Sequence, residues 1–312
     1  MEWKNQSSRP DFTLLGLSGQ PQLQVLLFIA FLVVYVISLL VNLLISSLIC
    51  VDQRLHTPMY FFLINLSILD IWCTSVAIPK MLVNIASGKQ TISFTGCVLQ
   101  MCLFTSALGT ELLLLTVMGF DRYIAICYPF HYTSIMSVRI CILLAAAVWI
   151  IGIINSLVHT TLLFRLDFCG ENLLDHFFCE FPSVFRLSCS NTRLNDLTML
   201  AADSFFGISS FLLTLVSYTY IISAIIKIRS AEGKQKAFST CASHLIVVGL
   251  YFATVIYTYI RPAFNFAMDD DKVVSALYTI LSPVLNPIVY SLRNKEIKEA
   301  FKKYIVKNVA SQ

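Results

Sequence analysis

LQVLLFIAFLVVYVISLLVNLLISSLICV, residues 23–51, carries no charged side chain. It is longer than the roughly 20 helical residues that cross the ~30 Å hydrocarbon core of a bilayer, so it spans. A cleavable leader would be a shorter apolar run directly behind a basic start; this run begins late and is expected to be retained. The rest of the 312-residue chain shares its character, with 57% hydrophobic residues, 13% charged and a mean hydropathy of +0.76. That balance excludes a soluble globular protein. Six further apolar windows follow, at about Met59–Val83, Cys97–Ile126, Ile140–Phe164, Leu197–Ile226, Ala237–Ile260 and Val273–Leu292. Lipid offers no partner to a backbone N–H or C=O, so each window closes its own hydrogen bonds as a helix. The expectation is an all-α membrane protein, a seven-transmembrane helix bundle forming a single domain over residues 1–312. An N-terminal arm (1–22) precedes the spans and loops (23–292), and a tail (293–312) follows them.

Lysine and arginine set the orientation. With the N-terminus outside, the inner loops and tail hold 13 of them against 5 acids, and the outer segments hold 9 against 10. The adjacent Asp121 and Arg122 then fall at the inner end of the third span, where a conformational switch would want an acid and a base. Asn5-Gln6-Ser7 is a glycosylation acceptor that suits an arm entering the secretory lumen. Cys97, Cys169, Cys179 and Cys189 share the outer side, where oxidation is permitted, and four cysteines allow three pairings. Cys50, Cys73, Cys102, Cys127, Cys141 and Cys241 sit in spans or at inner ends, as free thiols packed like small apolar groups. The loop HFFCE (176–180) admits a metal reading through His176, Cys179 and Glu180.

Three acids lie inside apolar windows, where ionisable groups are costly and turn toward an interior cavity. Asp70 and Glu111, with Asn286 nearby, form a candidate cation site or shared-proton site; two facing carboxylates favour a bound cation or one neutral acid. Asp203 lies nearer the outer half, placed to touch a ligand or cap a pocket. PVLNPIVY sets Pro283 and Pro287 four residues apart, which kinks a helix and frees carbonyls for Asn286 or water to satisfy. In RNKEIKEAFKKYIVKN, residues Ile297, Ala300, Phe301, Tyr304 and Ile305 share one helical face, with Lys298, Lys302 and Lys303 mostly opposite. This is a short amphipathic C-terminal helix for the inner leaflet, with membrane lipid as its partner.

Five blocks carry a resemblance: LHTPMYFFL (55–63), MGFDRYIAICYPFHY (118–132), SY (217–218), KAFSTCASHL (236–245) and PVLNPIVYSLRN (283–294). In order and spacing the chain, from about Asn42 to Asn294, resembles the vertebrate olfactory receptors, a branch of the rhodopsin-like G-protein-coupled receptors. The compact outer loops are similar to the class II group. The resemblance implies an odorant receptor at the plasma membrane of the sensory-neuron cilium, activated by a small volatile odorant. It implies coupling to a heterotrimeric stimulatory olfactory G protein that raises cyclic AMP, with no catalysis and no cofactor.

The resemblance also assigns roles. Asp121, Arg122, Tyr123, Tyr218, His244, Asn286, Pro287 and Tyr290 match the coupling and switch motifs; Arg122 is implied to pair with Asp121 at rest and to swing onto the G protein when the sixth span moves. The pairings Cys97–Cys179 and Cys169–Cys189 are implied as disulfides, which would use up the thiolate of the HFFCE loop. Together with helical spacing, the resemblance places Phe104, Thr105, Leu108, Gly109, Ala202, Phe206, Phe252, Val255, Ile256 and Tyr259 around the ligand, mostly apolar with two hydroxyls. The chain departs from the family pattern at Val41, at Gly119-Phe120 and at Tyr251-Phe252-Ala253, where Phe-Tyr-Gly is usual. GKQKAF, at the start of the sixth span, is basic where rhodopsin-like receptors carry a restraining acid.

A transporter or channel, the alternative of another class, would show repeated halves or broken, Gly-rich spans, and neither is visible. An intramembrane hydrolase would need a nucleophile elbow, HExxH or paired catalytic aspartates beside Asp70, Glu111 or His159. No nucleotide-binding loop occurs, and the basic patch suits anionic lipid and a G protein rather than nucleic acid.

Overall fold

Proline, serine and glycine punctuate the apolar runs and fix where the helices begin and end. In the computed structural model, which describes residues 11–17, 20–169, 171–255, 276, 283–289 and 295–309, helix α1 (Pro21–Val51) and helix α2 (Pro58–Ser87) both start on a proline, whose missing N–H costs nothing there. Gly88, at φ +66°, ends α2 in the left-handed conformation that side chains avoid. Ser93 caps α3 (Phe94–Cys127) by accepting from the Gly96 N–H at 3.1 Å. A short α4 (Tyr132–Ile135) leads to α5 (Val138–Leu163), and a short α6 (Phe181–Phe185) to α7 (Arg193–Lys227). Helix α8 (Ala231–Val255), a helical segment at 283–289 and α9 (Lys295–Val309) complete the described chain.

Five of these helices, α1, α2, α3, α5 and α7, are long and apolar enough to cross a membrane. Exposed Val25, Leu26, Ile29 and Val33 on α1, and Ile208, Leu212 and Leu215 on α7, give both helices an apolar outer surface, as lipid requires. Helix α3 is the axis: α5 and α7 pack along it, α2 lies beside it, and α1 packs on α2. Small residues allow the α3–α5 approach. A Cβ on Gly109 would stand 3.6 Å from the Gly152 Cα, and one on Gly152 would stand 2.9 Å from the Ser106 carbonyl.

The end that carries the disulfides is closed by a feature the sequence did not announce. Strand β1 (Phe12–Leu14) pairs antiparallel with β2 (Thr91–Ile92) and parallel with β3 (Leu173–Leu174). Phe12 and Leu14 bury their side chains among Phe94, Cys97, Leu174 and Phe181. Residues 12–14 of the arm are thus part of the packed structure. The bridges Cys97–Cys179 and Cys169–Cys189 are both formed. Gln100, one turn beyond Cys97, donates to the Val76 carbonyl and accepts from the Cys179 N–H, each at 2.9 Å, tying α2, α3 and the loop together. Of the cysteines expected free and packed, Cys73, Cys141 and Cys241 are free and buried, whereas Cys50 is free but exposed, because α1 ends there.

Candidate functional site

Asn286 is the hub of the bundle interior. Its Nδ2 donates to Asp70 Oδ1 at 2.9 Å and to Glu111 Oε1 at 3.1 Å, so one amide spends both hydrogens bridging two buried carboxyl groups. The carbonyl that Pro287 leaves without a helical partner is satisfied from elsewhere. Pro287 has no N–H for the carbonyl of Pro283, four residues back, and that carbonyl accepts from Asn42 Nδ2 at 3.1 Å and Ser38 Oγ at 3.4 Å of α1. The expectation that Asn286 or water would take this carbonyl is therefore corrected, since both Asn286 hydrogens are committed to the acids.

At the Arg122 end the structure separates the adjacent acid and base. Successive helical residues point about 100° apart and do not face each other. Asp121 turns inward and accepts from the Tyr132 hydroxyl at 2.8 Å, and Arg122 makes no ion pair among the described residues. The implied Asp121–Arg122 contact is replaced by a contact with α4, which the spacing of residues 118–132 alone did not reveal. Tyr123 sets its hydroxyl 3.4 Å from that of Tyr128.

Tyr218 and His244 are brought together from α7 and α8. His244 Nε2 lies 3.0 Å from the Leu115 carbonyl of α3, and Nδ1 lies 2.8 Å from the Tyr218 hydroxyl. A carbonyl only accepts, so Nε2 carries the hydrogen and Nδ1 accepts from Tyr218. One imidazole thus clasps α3, α7 and α8. An alanine Cβ at Gly119 would meet the His244 ring at 3.5 Å, an ordinary contact, so that departure from the family pattern is small.

Removing the Tyr132 hydroxyl takes one hydrogen bond from Asp121. At matched surface level, Tyr132→Phe is expected to raise ligand-independent signalling roughly three- to tenfold, the scale of such a bond. Basal output equal to the wild type would place the restraint elsewhere.

Toward the disulfide end, Phe104 packs edge-on against Phe178 at 4.8 Å, while Leu108 packs against both the central core and the cluster beneath the loop. Thr105 and Ala202 are half-buried, and Phe206 packs against the central core. Phe252 meets Phe211 edge-on at 5.5 Å, and Tyr251 donates to the Leu108 carbonyl at 2.7 Å, tying α8 to α3. Gly109 faces Gly152 of α5, on the helix–helix contact. Val255 is described as backbone only, and Asn5, Ile256, Tyr259 and Tyr290 lie outside the described residues. In the HFFCE loop, His176 Nε2 stands 3.4 Å from Glu180 Oε1, while the Cys179 sulfur is bonded to Cys97, leaving no thiolate.

Sequence reasoning missed Phe130, which is 96% exposed beyond the end of α3, and Tyr60, whose hydroxyl donates to Glu296 Oε2 at 2.7 Å and docks α9. Both sit inside quoted blocks, so an apolar ring beyond the last span residue was the available signal. Ile297 and Ala300 of α9 are buried, whereas Phe301 and Tyr304 are exposed, so the apolar face divides between the bundle and its surroundings. Near the same end Arg54 hydrogen-bonds Asp52, which holds that carboxyl down at about 2.

A bundle of membrane-length helices with an interior polar hub and hydrogen-bonded clasps between helices is the architecture of a helical membrane protein. A family model described as olfactory receptor matches residues 31–308. Human olfactory receptor 13G1 is 50% identical over 299 residues, covering 96% of this chain and 97% of its own. Human olfactory receptor 13A1 is 49% identical over 299 residues (96% and 91%), and mouse olfactory receptor 5AP2 48% over 302 (97% and 95%). The chain belongs to the olfactory receptor family, whose members are seven-span membrane receptors and not enzymes.

Proposed function

We propose that this protein binds small volatile odorants in the outer half of the bundle and activates a stimulatory olfactory G protein, raising cyclic AMP. The N-terminus lies outside, carrying glycan on Asn5, and the Arg122 end faces the cytoplasm of the olfactory cilium; the excess of Lys and Arg on that side supports the orientation. Phe104, Thr105, Leu108, Ala202, Phe206, Phe252, Val255, Ile256 and Tyr259 line the pocket, while Gly109 serves the α3–α5 contact. Asp70 and Glu111, bridged by Asn286, hold a cation or share a proton, and α9 rests on lipid.

The observation that carries this reading is the His244 clasp. His244 and its two partners sit on three helices, so an outward movement of α8 must break it. Arg122, free of any ion pair among the described residues, is then the cation that reaches backbone carbonyls of the G protein. Phe130 supplies an apolar anchor for that partner, since a lone, nearly bare phenyl ring gains most from burial on binding.

The test is cyclic AMP in cells expressing the receptor with the olfactory G protein, across a volatile panel. Arg122→Ala is expected to abolish the response and Phe130→Ala to lower it about tenfold, the scale of a buried aromatic anchor. An Arg122→Ala response equal to the wild type, at matched surface level, would overturn the coupling mechanism.

A further inference from the structure

Helix α7 turns one face inward, marked by buried Asn195, Ser210, Thr214, Tyr218, Ile221 and Ile225, with Met199 and Phe206 packed against the clusters beside them. Successive members lie three, four or seven residues apart, the period of a helical face. Asp203 falls on that face, between Met199 and Phe206. It stands about 15 Å along the axis from Arg193, at ~1.5 Å per residue. It is half-buried, and among the described residues it makes no hydrogen bond or ion pair. Of the histidines toward this end, His159 sets its ring 5.8 Å from Phe181, and His176 lies beside Glu180.

A carboxyl group in an apolar helical interior is expensive unless a cation or donor meets it. On the same helix Ala202 and Phe206 flank it, and the α3 residues assigned to the proposed pocket, Thr105 and Leu108, are likewise uncharged. Resting on the proposed odorant site, we propose that Asp203 determines its specificity and that the ligand class is volatile amines. The ammonium of the ligand pairs with the Asp203 carboxylate, and its hydrocarbon body packs on Phe206 and Leu108. The same skeleton ending in a hydroxyl lacks the charge to pair.

The experiment compares hexylamine with hexanol and phenethylamine with 2-phenylethanol, as cyclic AMP in cells expressing the full-length receptor with its G protein. Signal in Arg122→Ala cells is subtracted. At least one amine is expected to act at about tenfold lower concentration than its alcohol. Asp203→Asn raises the half-maximal concentration of that amine about 100-fold, the scale for truncating one partner of a buried charge pair. Surface expression stays unchanged, and the half-maximal concentration of the alcohol shifts less than about tenfold. Asp203→Glu, which keeps the charge, retains the amine preference and guards against a folding defect. Silence to both amines, an alcohol equal to its amine, or an amine response that survives Asp203→Asn would each overturn the proposal. An alcohol response abolished by Arg122→Ala would show the receptor reading standing while the amine assignment fell. Indifference of all signals, basal included, to Arg122→Ala would count against the receptor reading itself.

Discussion

Replacing Gly152 by alanine is expected to remove most of the protein from the cell surface. The added Cβ would stand 2.2 Å from Thr110 Oγ1, 2.9 Å from the Ser106 carbonyl and 2.9 Å from the Thr110 backbone nitrogen. A hydroxyl can rotate away, but two backbone atoms of α3 cannot. Helix α5 would have to back away from α3 along their shared contact, loosening Ala107, Leu114, Ala145 and Val148 together. Overpacking of this kind costs about 3 kcal/mol. That is roughly a hundredfold in the folded-to-unfolded ratio, enough to cut surface abundance severely in a marginally stable protein. Gly207 is the matched control. A Cβ there meets nothing within 4 Å, so Gly207→Ala is expected to be neutral or to stabilise by up to ~1 kcal/mol through helix propensity. Surface immunolabelling and thermal unfolding in detergent read both variants; equal behaviour would show that the close α3–α5 approach is not required.

Asn286→Leu is expected to abolish the agonist response and lower thermal stability. Leucine nearly matches the volume but supplies no hydrogen, so Asp70 Oδ1 and Glu111 Oε1 both lose the donor between them. Asp70 Oδ2 already has no hydrogen-bond partner among the described residues. Breaking a buried polar unit by removing one partner costs about 3–5 kcal/mol, more than most single substitutions. A second substitution distinguishes this cause from a simple packing defect. Asp70→Asn in the Asn286→Leu background converts one acid into an amide able to donate to Glu111, and is expected to recover part of the lost stability. Strictly additive losses in the double variant would show that the three side chains do not act as one unit.

The sequence made the large apolar helices legible because lipid enforces both their length and their internal hydrogen bonding. The third span shows where that reading stops: its window began at Cys97, while the helix starts at Phe94, because Ser93 caps a turn that hydropathy does not see. The acids were legible too, since a carboxyl inside an apolar run has to be explained, and Asp70, Glu111 and Asn286 do meet. Contacts made across the bundle were not. Nothing in PVLNPIVY says that Asn42, some 240 positions away, completes the Pro283 carbonyl, and nothing in residues 118–132 says that Tyr132 outcompetes Arg122 for Asp121. Strands of two or three residues hold too few side chains to display alternation, so the three-stranded sheet was invisible. For Gly152 a signal did exist: a lone glycine in an apolar helix commonly marks close approach to small residues, here Ser106, Gly109 and Thr110.

The fastenings of the bundle differ at its two ends. Around Cys97 the chain is joined by covalent bridges, by three paired strands and by Gln100 spanning two helices and a loop. Around Arg122 the ties between helices described above are single hydrogen bonds, from Tyr132 to Asp121 and from Tyr218 and His244 across α7, α8 and α3. Each can exchange for water or for another protein's polar group at modest net cost. The molecule is therefore built like a pair of tongs, riveted at one end and lightly latched at the other.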